Sequence, residues 1–332
     1  MDLVAVVTDP LATSDALVGR RSSLVADAAR ADRFIGVDVW YPARSHDGEL
    51  AMYELLPGVG FTSVARRDAE CADGPHPTVI LSHGRSGTRL VYSQLCESLA
   101  ARGVVVVALD HPGDTMADWL LGAAVDDETN ESNRVADIAC VLHELDGGLF
   151  ADVQADLSSL FVAGHSYGAY AAVGFAATND GQRRLRGAMG LEPFLRTVRE
   201  DQWSDATCPL AFWGGDADTT TPPDVDIAAA ERHARRVDTW EFTNVGHQGC
   251  SDVGLYLELS AALPDLPAMV TDYLGTMAAQ VTGRAGDPWR PTVARHVEVV
   301  HEWITHILTG DAHPAATRDG LRRRTSSTNG AN

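Results

Sequence analysis

The 332-residue chain contains no lysine, so all 26 of its basic residues are arginines. It carries 46 aspartates and glutamates, which give a formal net charge of −20 at pH 7. Nucleic acids and anionic membrane surfaces require a positive face, so this balance argues against both as partners. The sequence also lacks an apolar run near the ~20 residues of a membrane span. Its longest run, residues 104–109, has the length of a strand.

Cysteine is scarce and has no pairing pattern. The five cysteines are widely spread, with no CxxC and no zinc-ligand spacing, and are Cys71, Cys96, Cys140, Cys208 and Cys250. Residues 1–10 have no basic leader and carry Asp2 and Asp9, which is unlike a secretory signal. We therefore expect reduced thiols, a cytoplasmic location, no metal site and no cofactor.

Apolar runs of strand length alternate along the chain with segments of helical periodicity. The predicted strands are 23–28, 34–40, 78–81, 104–109, 157–163, 185–191, 209–213 and 237–242. The predicted helices are 90–102, 133–145, 167–177, 224–235 and 293–308. This alternation predicts an α/β protein with a doubly wound, mostly parallel sheet and helices on both faces.

The remaining segments set the expected domain limits. We expect residues 1–309 to form a single domain, with a loop-like stretch over 44–77 where glycine and proline are frequent. The polar residues 310–332 are expected to be a disordered tail. No internal repeat or interdomain linker is evident.

The strongest motif is Gly164-His165-Ser166-Tyr167-Gly168, a G-x-S-x-G placed between a predicted buried strand and a predicted helix. This strand–turn–helix context is that of the nucleophile in the α/β-hydrolase fold. Small flanking residues leave room for the tight turn, and the helix N-terminus favours developing negative charge. We therefore predict Ser166 to be a catalytic nucleophile.

The base and the acid follow from chain order, which is Ser, acid, His in this fold. His247 follows a predicted strand in a loop, with Gly246 before it, and is our candidate for the general base. Asp218, just past the strand 209–213, is the preferred acid. Glu192 is the rival acid, and Asp216 is a third alternative that is more typical of a turn cap.

An acyl-transfer site also needs N–H donors for the oxyanion. One donor is expected to be the backbone N–H of Tyr167, directly after the nucleophile. The loop after the strand 78–81 contains His83-Gly84-Arg85, similar to the His-Gly loop of lipases and esterases. The backbone N–H of Arg85 is the second candidate, and the His83 side chain is expected to be structural.

Six segments in chain order resemble the dienelactone-hydrolase-like and platelet-activating-factor-acetylhydrolase-like α/β-hydrolases. They are Val39–Pro42, Leu81–Gly84, Asp110–Thr115, Asn133–Asp137, Ala163–Gly168 and Val245–Gln248. The resemblance implies ester hydrolysis without a cofactor, with the same nucleophile, base and oxyanion amides as above. Branches of this family differ in where the acid lies, so the choice between Asp218 and Glu192 stays open. Dienelactone hydrolases use a cysteine nucleophile, so their substrate is not carried over.

The leading hypothesis is a serine esterase that hydrolyses carboxylic esters of small to medium acyl groups. A thioesterase or acyltransferase with the same triad is the second hypothesis. The third is a hydrolase fold that binds a ligand without catalysis. The expected partner is a small-molecule ester, and a homodimer is left open. Two apolar inserts, near 113–130 and 251–285, are predicted as lid or cap segments, with ordinary packing as the alternative.

Overall fold

The computed structural model describes residues 4–7, 10–13, 15–30, 32–56, 59–262, 268–284, 286–311, 317–318 and 320–324. Among them, thirteen strands form one sheet. The strands are β1 (Val4–Val7), β2 (Val18–Ala26), β3 (Phe34–Pro42), β4 (Leu50–Leu56), β5 (Val59–Arg67), β6 (His76–Ser82), β7 (Val105–Leu109), β8 (Ala155–His165), β9 (Leu185–Leu191), β10 (Leu210–Gly215), β11 (Val237–Phe242), β12 (Thr317–Arg318) and β13 (Leu321–Arg323).

Ten α-helices lie among the described residues and alternate with the strands after β6. They are α1 (Ser93–Ala100), α2 (Met116–Leu120), α3 (Asp127–Asp146), α4 (Tyr167–Ala176), α5 (Asn179–Arg184), α6 (Glu200–Asp205), α7 (Asp226–His233), α8 (Val253–Ala262), α9 (Ala268–Met277) and α10 (Arg290–Thr309). The side chain of Asp126 accepts from Thr129 N and starts α3 six residues earlier than the apolar pattern predicts.

The order of strands in the sheet is β1-β5-β2-β3-β7-β6-β8-β9-β10-β11-β13-β12, with β4 paired to β5. The six strands from β7 to β11 in this order run parallel. β3 is antiparallel to both of its neighbours, β2 and β7. Because parallel strands end at the same edge of a sheet, the turns after β6, β8 and β10 lie along one edge.

Two apolar clusters cover the two faces of the sheet. One holds Leu95, Val297 and Trp303, which come from α1 and α10. The other holds Ile138 and Phe175, which come from α3 and α4. Every residue of β7 is buried, as expected for a central strand with helices on both sides. The predicted doubly wound, mostly parallel sheet is confirmed.

The prediction of a loop-like stretch over residues 44–77 is wrong, because β4 and β5 form a hairpin there and β6 begins at His76. In β5, buried polar residues hide the strand signal: Ser63 Oγ donates to Glu97 Oε2 at 2.6 Å. Gly60 looks like a loop residue but lies in β5, where an added Cβ would meet the Tyr53 carbonyl oxygen at 2.5 Å. Pro57 and Gly58 lie outside the described residues.

The expectation of a disordered tail over 310–332 is wrong for its described part. β13 pairs with β11 in antiparallel register, and Leu321 is buried in the core. Arg322 and Arg324 both donate to Glu241 on β11. A polar segment can therefore be ordered, because strand pairing and ion pairs hold it where hydrophobic periodicity does not.

Candidate active site

Ser166 lies in the turn between β8 and α4, at φ 52° and ψ −119°. A residue other than glycine is rare at a positive φ, and such strain is typical of a nucleophile turn. Two backbone hydrogen bonds hold it, from Ser166 N to Leu191 O and from Phe194 N to Ser166 O, each at 3.0 Å. The flanking glycines are required: an added Cβ on Gly164 would lie 2.1 Å from Gly168 C.

His247 lies in the loop after β11 and bridges two of the predicted site residues. Its Nε2 is 3.0 Å from Ser166 Oγ, and its Nδ1 is 2.9 Å from Asp218 Oδ2. All three side chains are largely buried, with Asp218 and His247 only 4% and 6% exposed. A carboxylate, an imidazole and a hydroxyl in this order are the arrangement that transfers a proton away from an attacking serine.

The turn after β10 holds the Asp218 carboxylate. Its Oδ1 accepts from Thr220 N at 2.8 Å and Thr221 N at 2.9 Å, and its Oδ2 accepts from Thr221 Oγ1 at 2.6 Å. Burial alone would raise the pKa of Asp218, but the hydrogen bond and charge of His247, with the Thr221 donors, lower it below the ordinary value. Asp218 is therefore ionised at neutral pH.

The two rival carboxylates lie elsewhere. Glu192 follows β9, and its Oε1 is 2.7 Å from His296 Nε2 on α10. Asp216 accepts from Asn244 N at 2.6 Å and closes the turn beside β11, as expected for a turn residue. Among the described residues, Asp218 is the carboxylate whose hydrogen bond reaches His247.

Tyr167 and the loop of Gly84 and Arg85, which carry the predicted oxyanion donors, lie next to Ser166. Tyr167 is the first residue of α4, so its N–H has no partner within the helix. Gly84 lies against the nucleophile, since an added Cβ there would be 3.4 Å from Ser166 Cβ. The N–H of Gly84 donates to Tyr92 Oη at 3.0 Å. The N–H of Arg85 donates to no acceptor among the described residues.

A buried hydrogen-bond chain joins the three loops of the site. Tyr92 Oη accepts from Gly84 N and lies 2.8 Å from His165 Nδ1, while His165 Nε2 lies 2.7 Å from His247 O. Burial lowers the pKa of His165 to about 3, so the ring is neutral and donates through Nε2. No sequence pattern pointed to Tyr92 or His165, because 73 residues separate them.

The first predicted lid segment borders this site. Asp114 accepts from Ser86 N at 3.0 Å, and Thr115 pairs with Gly87. On α2 and just after it, three large apolar side chains are exposed, Trp119 at 55%, Leu120 at 52% and Leu121 at 82%. The second segment differs, because α8 buries Leu255 and Leu259 in the core. Its residues 263–267 and 285 lie outside the described residues.

One set of described side chains has the spacing of a metal site. Single ligand atoms of His165, Glu192 and Cys250 lie within 4.8 Å of one another, and all three residues are buried. Both nitrogens of His165 and one oxygen of Glu192 are already hydrogen-bonded within the protein. Because both of its nitrogens are engaged in this way, His165 offers no free ligand atom.

The strand order and the position of Ser166, Asp218 and His247 after β8, β10 and β11 define the α/β-hydrolase fold, which confirms the predicted fold class. Residues 73–204 match the family Hydrolase_4, described as serine aminopeptidase, S33. That region includes Arg85 and Ser166 and ends before Asp218 and His247.

A solved structure with the same fold is the ferulic acid esterase from Streptomyces cinnamoneus, determined at 2.4 Å resolution. It superposes with a TM-score of 0.73 at 21% sequence identity, over 93% of this chain and 97% of the esterase. No helix among the described residues is long and apolar enough to cross a membrane.

Proposed function

We propose that this protein is a serine hydrolase that cleaves carboxylic esters through an acyl-enzyme on Ser166. The observation that carries the proposal is the continuous hydrogen-bonded series Asp218–His247–Ser166, with the serine on a strained turn at a helix N-terminus. A surface loop histidine or a chance glycine turn would not need two matched hydrogen bonds on opposite ring nitrogens.

In the first step, His247 Nε2 takes the proton from Ser166 Oγ as the oxygen attacks the ester carbonyl carbon. The C–O bond to the alcohol then breaks, and the alcohol leaves with that proton. In the second step, water loses a proton to His247 and attacks the acyl carbon. The acid leaves, and Ser166 regains its proton from the imidazole.

Each partner has a defined share in this sequence. Asp218 holds the proton of His247 on Nδ1, so that Nε2 faces the serine as an acceptor, and it stabilises the imidazolium that forms. The backbone N–H groups of Tyr167 and Arg85 donate to the oxyanion of each tetrahedral intermediate. No cofactor is needed for this chemistry.

The substrate is proposed to be a small to medium ester, with aromatic acyl groups included. The rings of Phe194 and Tyr167 lie 5.4 Å apart beside the nucleophile, and Phe194 N donates to Ser166 O. We propose that these two rings form one wall of the acyl pocket, against which a flat acyl group would stack. The esterase with the same fold is named for ferulic acid, an aromatic acid, which is consistent with this choice.

We also propose that this chain lies beside the dienelactone-hydrolase-like and platelet-activating-factor-acetylhydrolase-like serine esterases within the α/β-hydrolases, on the basis of the matching segments given above.

A cytoplasmic location is proposed from the cysteines, which are all free, four of them buried. The two lid segments are proposed to contribute to the substrate pocket, with the exposed apolar residues after Thr115 nearest to the oxyanion loop.

The test combines a fluorophosphonate label with a series of p-nitrophenyl esters of increasing acyl length, including an aromatic acyl ester. Wild type should be labelled and active, and Ser166→Ala should lose both. Ser158→Ala, an exposed serine on the same strand, should retain both. A wild type that takes no label refutes the proposal, and activity surviving in Ser166→Ala refutes the nucleophile.

Acyl thioesters and amino-acid p-nitroanilides should be run beside the esters. The proposal expects the highest kcat/KM with oxygen esters. A higher kcat/KM with thioesters would favour the thioesterase hypothesis. A higher kcat/KM with aminoacyl anilides would favour a peptidase. Added alcohol or amine acceptors separate hydrolysis from acyl transfer through the product formed.

A further inference from the structure

We propose that Arg134 is a positioning residue that fixes the oxyanion hole, because its buried guanidinium holds the peptide bond that carries the N–H of Arg85. This inference rests on the proposed function. Arg134 lies on α3, 49 positions from Arg85 in the sequence. Its side chain is fully buried at 0% exposure, which is rare for arginine. A buried guanidinium needs a counter-ion and hydrogen-bond acceptors for its N–H groups.

The guanidinium reaches the carbonyl groups of the loop after β6. Arg134 Nη1 donates to His83 O at 2.6 Å, and Nη2 donates to Gly84 O at 3.1 Å. The carbonyl of Gly84 belongs to the same peptide plane as the N–H of Arg85, and in a trans peptide the two point in opposite directions. Holding the carbonyl therefore sets the direction in which the N–H points.

Two more donors converge on that carbonyl oxygen. Gly87 N donates to Gly84 O at 3.1 Å, and His83 Nδ1 lies 2.6 Å from it. His83 Nε2 accepts from His111 N at 3.1 Å, so the ring proton is on Nδ1 and His83 is a donor to Gly84. Burial, with the charge of Arg134 beside it, lowers the pKa of His83 well below the ordinary value, which keeps this neutral tautomer.

The counter-ion of Arg134 holds the next peptide of the same loop. Asp114 Oδ2 accepts from Arg134 Nη2 at 2.6 Å, and Asp114 Oδ1 accepts from Ser86 N at 3.0 Å. One buried ion pair thus fixes both peptide groups around Arg85, the first by its carbonyl and the second by its N–H. An arrangement with a merely structural role would not need to bracket this single residue.

The charge of Arg134 also lies against the side chain of the other predicted donor residue, Tyr167. Its guanidinium carbon is 5.2 Å from the centre of the Tyr167 ring, on the residue that supplies the other amide. In a buried site a fixed cation stabilises developing negative charge more strongly than it would in water. Three hydrogen bonds to a carbonyl also polarise its peptide, which strengthens the N–H of Arg85 as a donor.

The test compares two inhibitors. Ser166 Oγ adds to the carbonyl carbon of an aryl trifluoromethyl ketone and forms an anionic hemiketal. The matching ether has no carbonyl and binds without covalent addition. In Arg134→Gln we expect kcat/KM and the ketone affinity to fall together by about 30- to 100-fold, because loss of one oxyanion donor costs about 10²–10³ in kcat. Affinity for the ether should change less than threefold. Arg134→Lys keeps the charge without the planar fork and should lie between wild type and Arg134→Gln.

The matched control is Arg33→Gln. Arg33 is also a nearly buried arginine, and it pairs with Asp137 on the same helix without a hydrogen bond to residues 83–86. Thermal unfolding of every variant reports stability, and Asp114→Asn serves as the second variant if Arg134→Gln does not fold. Asp114→Asn weakens the contacts of residue 114 with Arg134 and with Ser86 N. It should also lower the ketone affinity by more than tenfold.

Two results would overturn the role of Arg134. One is a folded Arg134 variant whose kcat/KM and ketone affinity stay within threefold of wild type. The other is a loss of ketone affinity matched by an equal loss of ether affinity, or by Arg33→Gln at equal stability. A wild type that forms no hemiketal contradicts the proposed function instead, so the two failures are distinguishable.

Discussion

Replacing Asp218 by asparagine tests the proposed triad most directly, because the loop around Asp218 determines which way the new amide must face. Oδ1 of Asp218 accepts from Thr220 N and Thr221 N at 2.8 and 2.9 Å. An amide oxygen can occupy that position, but an NH₂ group would face two N–H donors. Each unmet buried N–H costs about 1–3 kcal/mol, so the flipped amide is strongly disfavoured.

With its oxygen held by the loop, the asparagine presents its NH₂ group to His247 Nδ1, now 2.9 Å from Asp218 Oδ2. The imidazole must then accept at Nδ1 and carry its proton on Nε2, which faces Ser166 Oγ at 3.0 Å. A ring with its proton towards the serine cannot remove the proton of the hydroxyl. Loss of this tautomer lowers kcat by about 10⁴-fold in Ser-His-Asp proteases.

We therefore expect Asp218→Asn to lower kcat for a p-nitrophenyl ester by about 10³- to 10⁴-fold at pH 7.5, with KM changed little. Single-turnover kinetics would place the loss in acyl-enzyme formation. Unfolding by denaturant should show that the variant is folded, because the two backbone hydrogen bonds from Thr220 N and Thr221 N remain.

Glu192→Gln is the matched control, since it also replaces a buried carboxylate by an amide, at the rival position beside His296. Its kcat should stay within about tenfold of wild type. The reasoning is refuted if Glu192→Gln loses more kcat than Asp218→Asn, or if Asp218→Asn keeps more than a tenth of the wild-type rate.

Three further predictions concern the stability of the fold. Gly164→Ala should lower the free energy of unfolding by at least about 3 kcal/mol in a denaturant titration, because the new Cβ would meet the backbone of α4 at 2.1 Å. Gly275→Ala is the control, since Gly275 has open space around it, and it should be neutral or slightly stabilising in the same titration. Burial lowers the pKa of His111 to about 4, so below pH 6.5 the unfolded chain takes up a proton that the native protein does not, and stability falls as pH drops from 6.5 to 4. His111→Gln removes this dependence, so its stability relative to wild type should rise by up to about 3 kcal/mol between pH 7 and pH 4; a constant difference across this range would contradict the assignment. Leu321→Ala should cost about 2 kcal/mol by emptying the site under β13, whereas Arg323→Ala, an exposed ion pair, should cost less than about 1 kcal/mol; equal effects would show that β13 is not packed.

Much of the central architecture could be predicted from the sequence, because its signals are local. The predicted strands 185–191 and 237–242 have the same bounds as the strands Leu185–Leu191 and Val237–Phe242 of the structure. Strands buried on both faces need continuous apolar residues, and that pattern survives without knowledge of the partner strands. The position of Ser166 on its turn is predictable for the same reason, since strand, glycine turn and helix all lie within a few residues of it.

The edges of the sheet could not be predicted in this way. β5 buries Thr62 and Ser63, and the Ser63 hydroxyl finds its acceptor on Glu97, elsewhere in the chain, so the polar residues of the strand imitate a loop. β13 is ordered by pairing with β11, which begins 84 positions earlier than Leu321. Local periodicity carries no information about a partner that far away.

Local sequence patterns are enough to place a serine on a turn between a buried strand and a helix, with a histidine and two candidate carboxylates after it. The packing of the folded chain pairs Asp218 with His247 and Glu192 with His296. Local sequence does not contain this choice, because both carboxylates follow parallel strands and differ in what packs beside them. The same packing separates the acid from its rival. It also brought Arg134 beneath the loop of Arg85. Buried polar contacts of this kind depend on how helices settle on the sheet, and no local pattern encodes them.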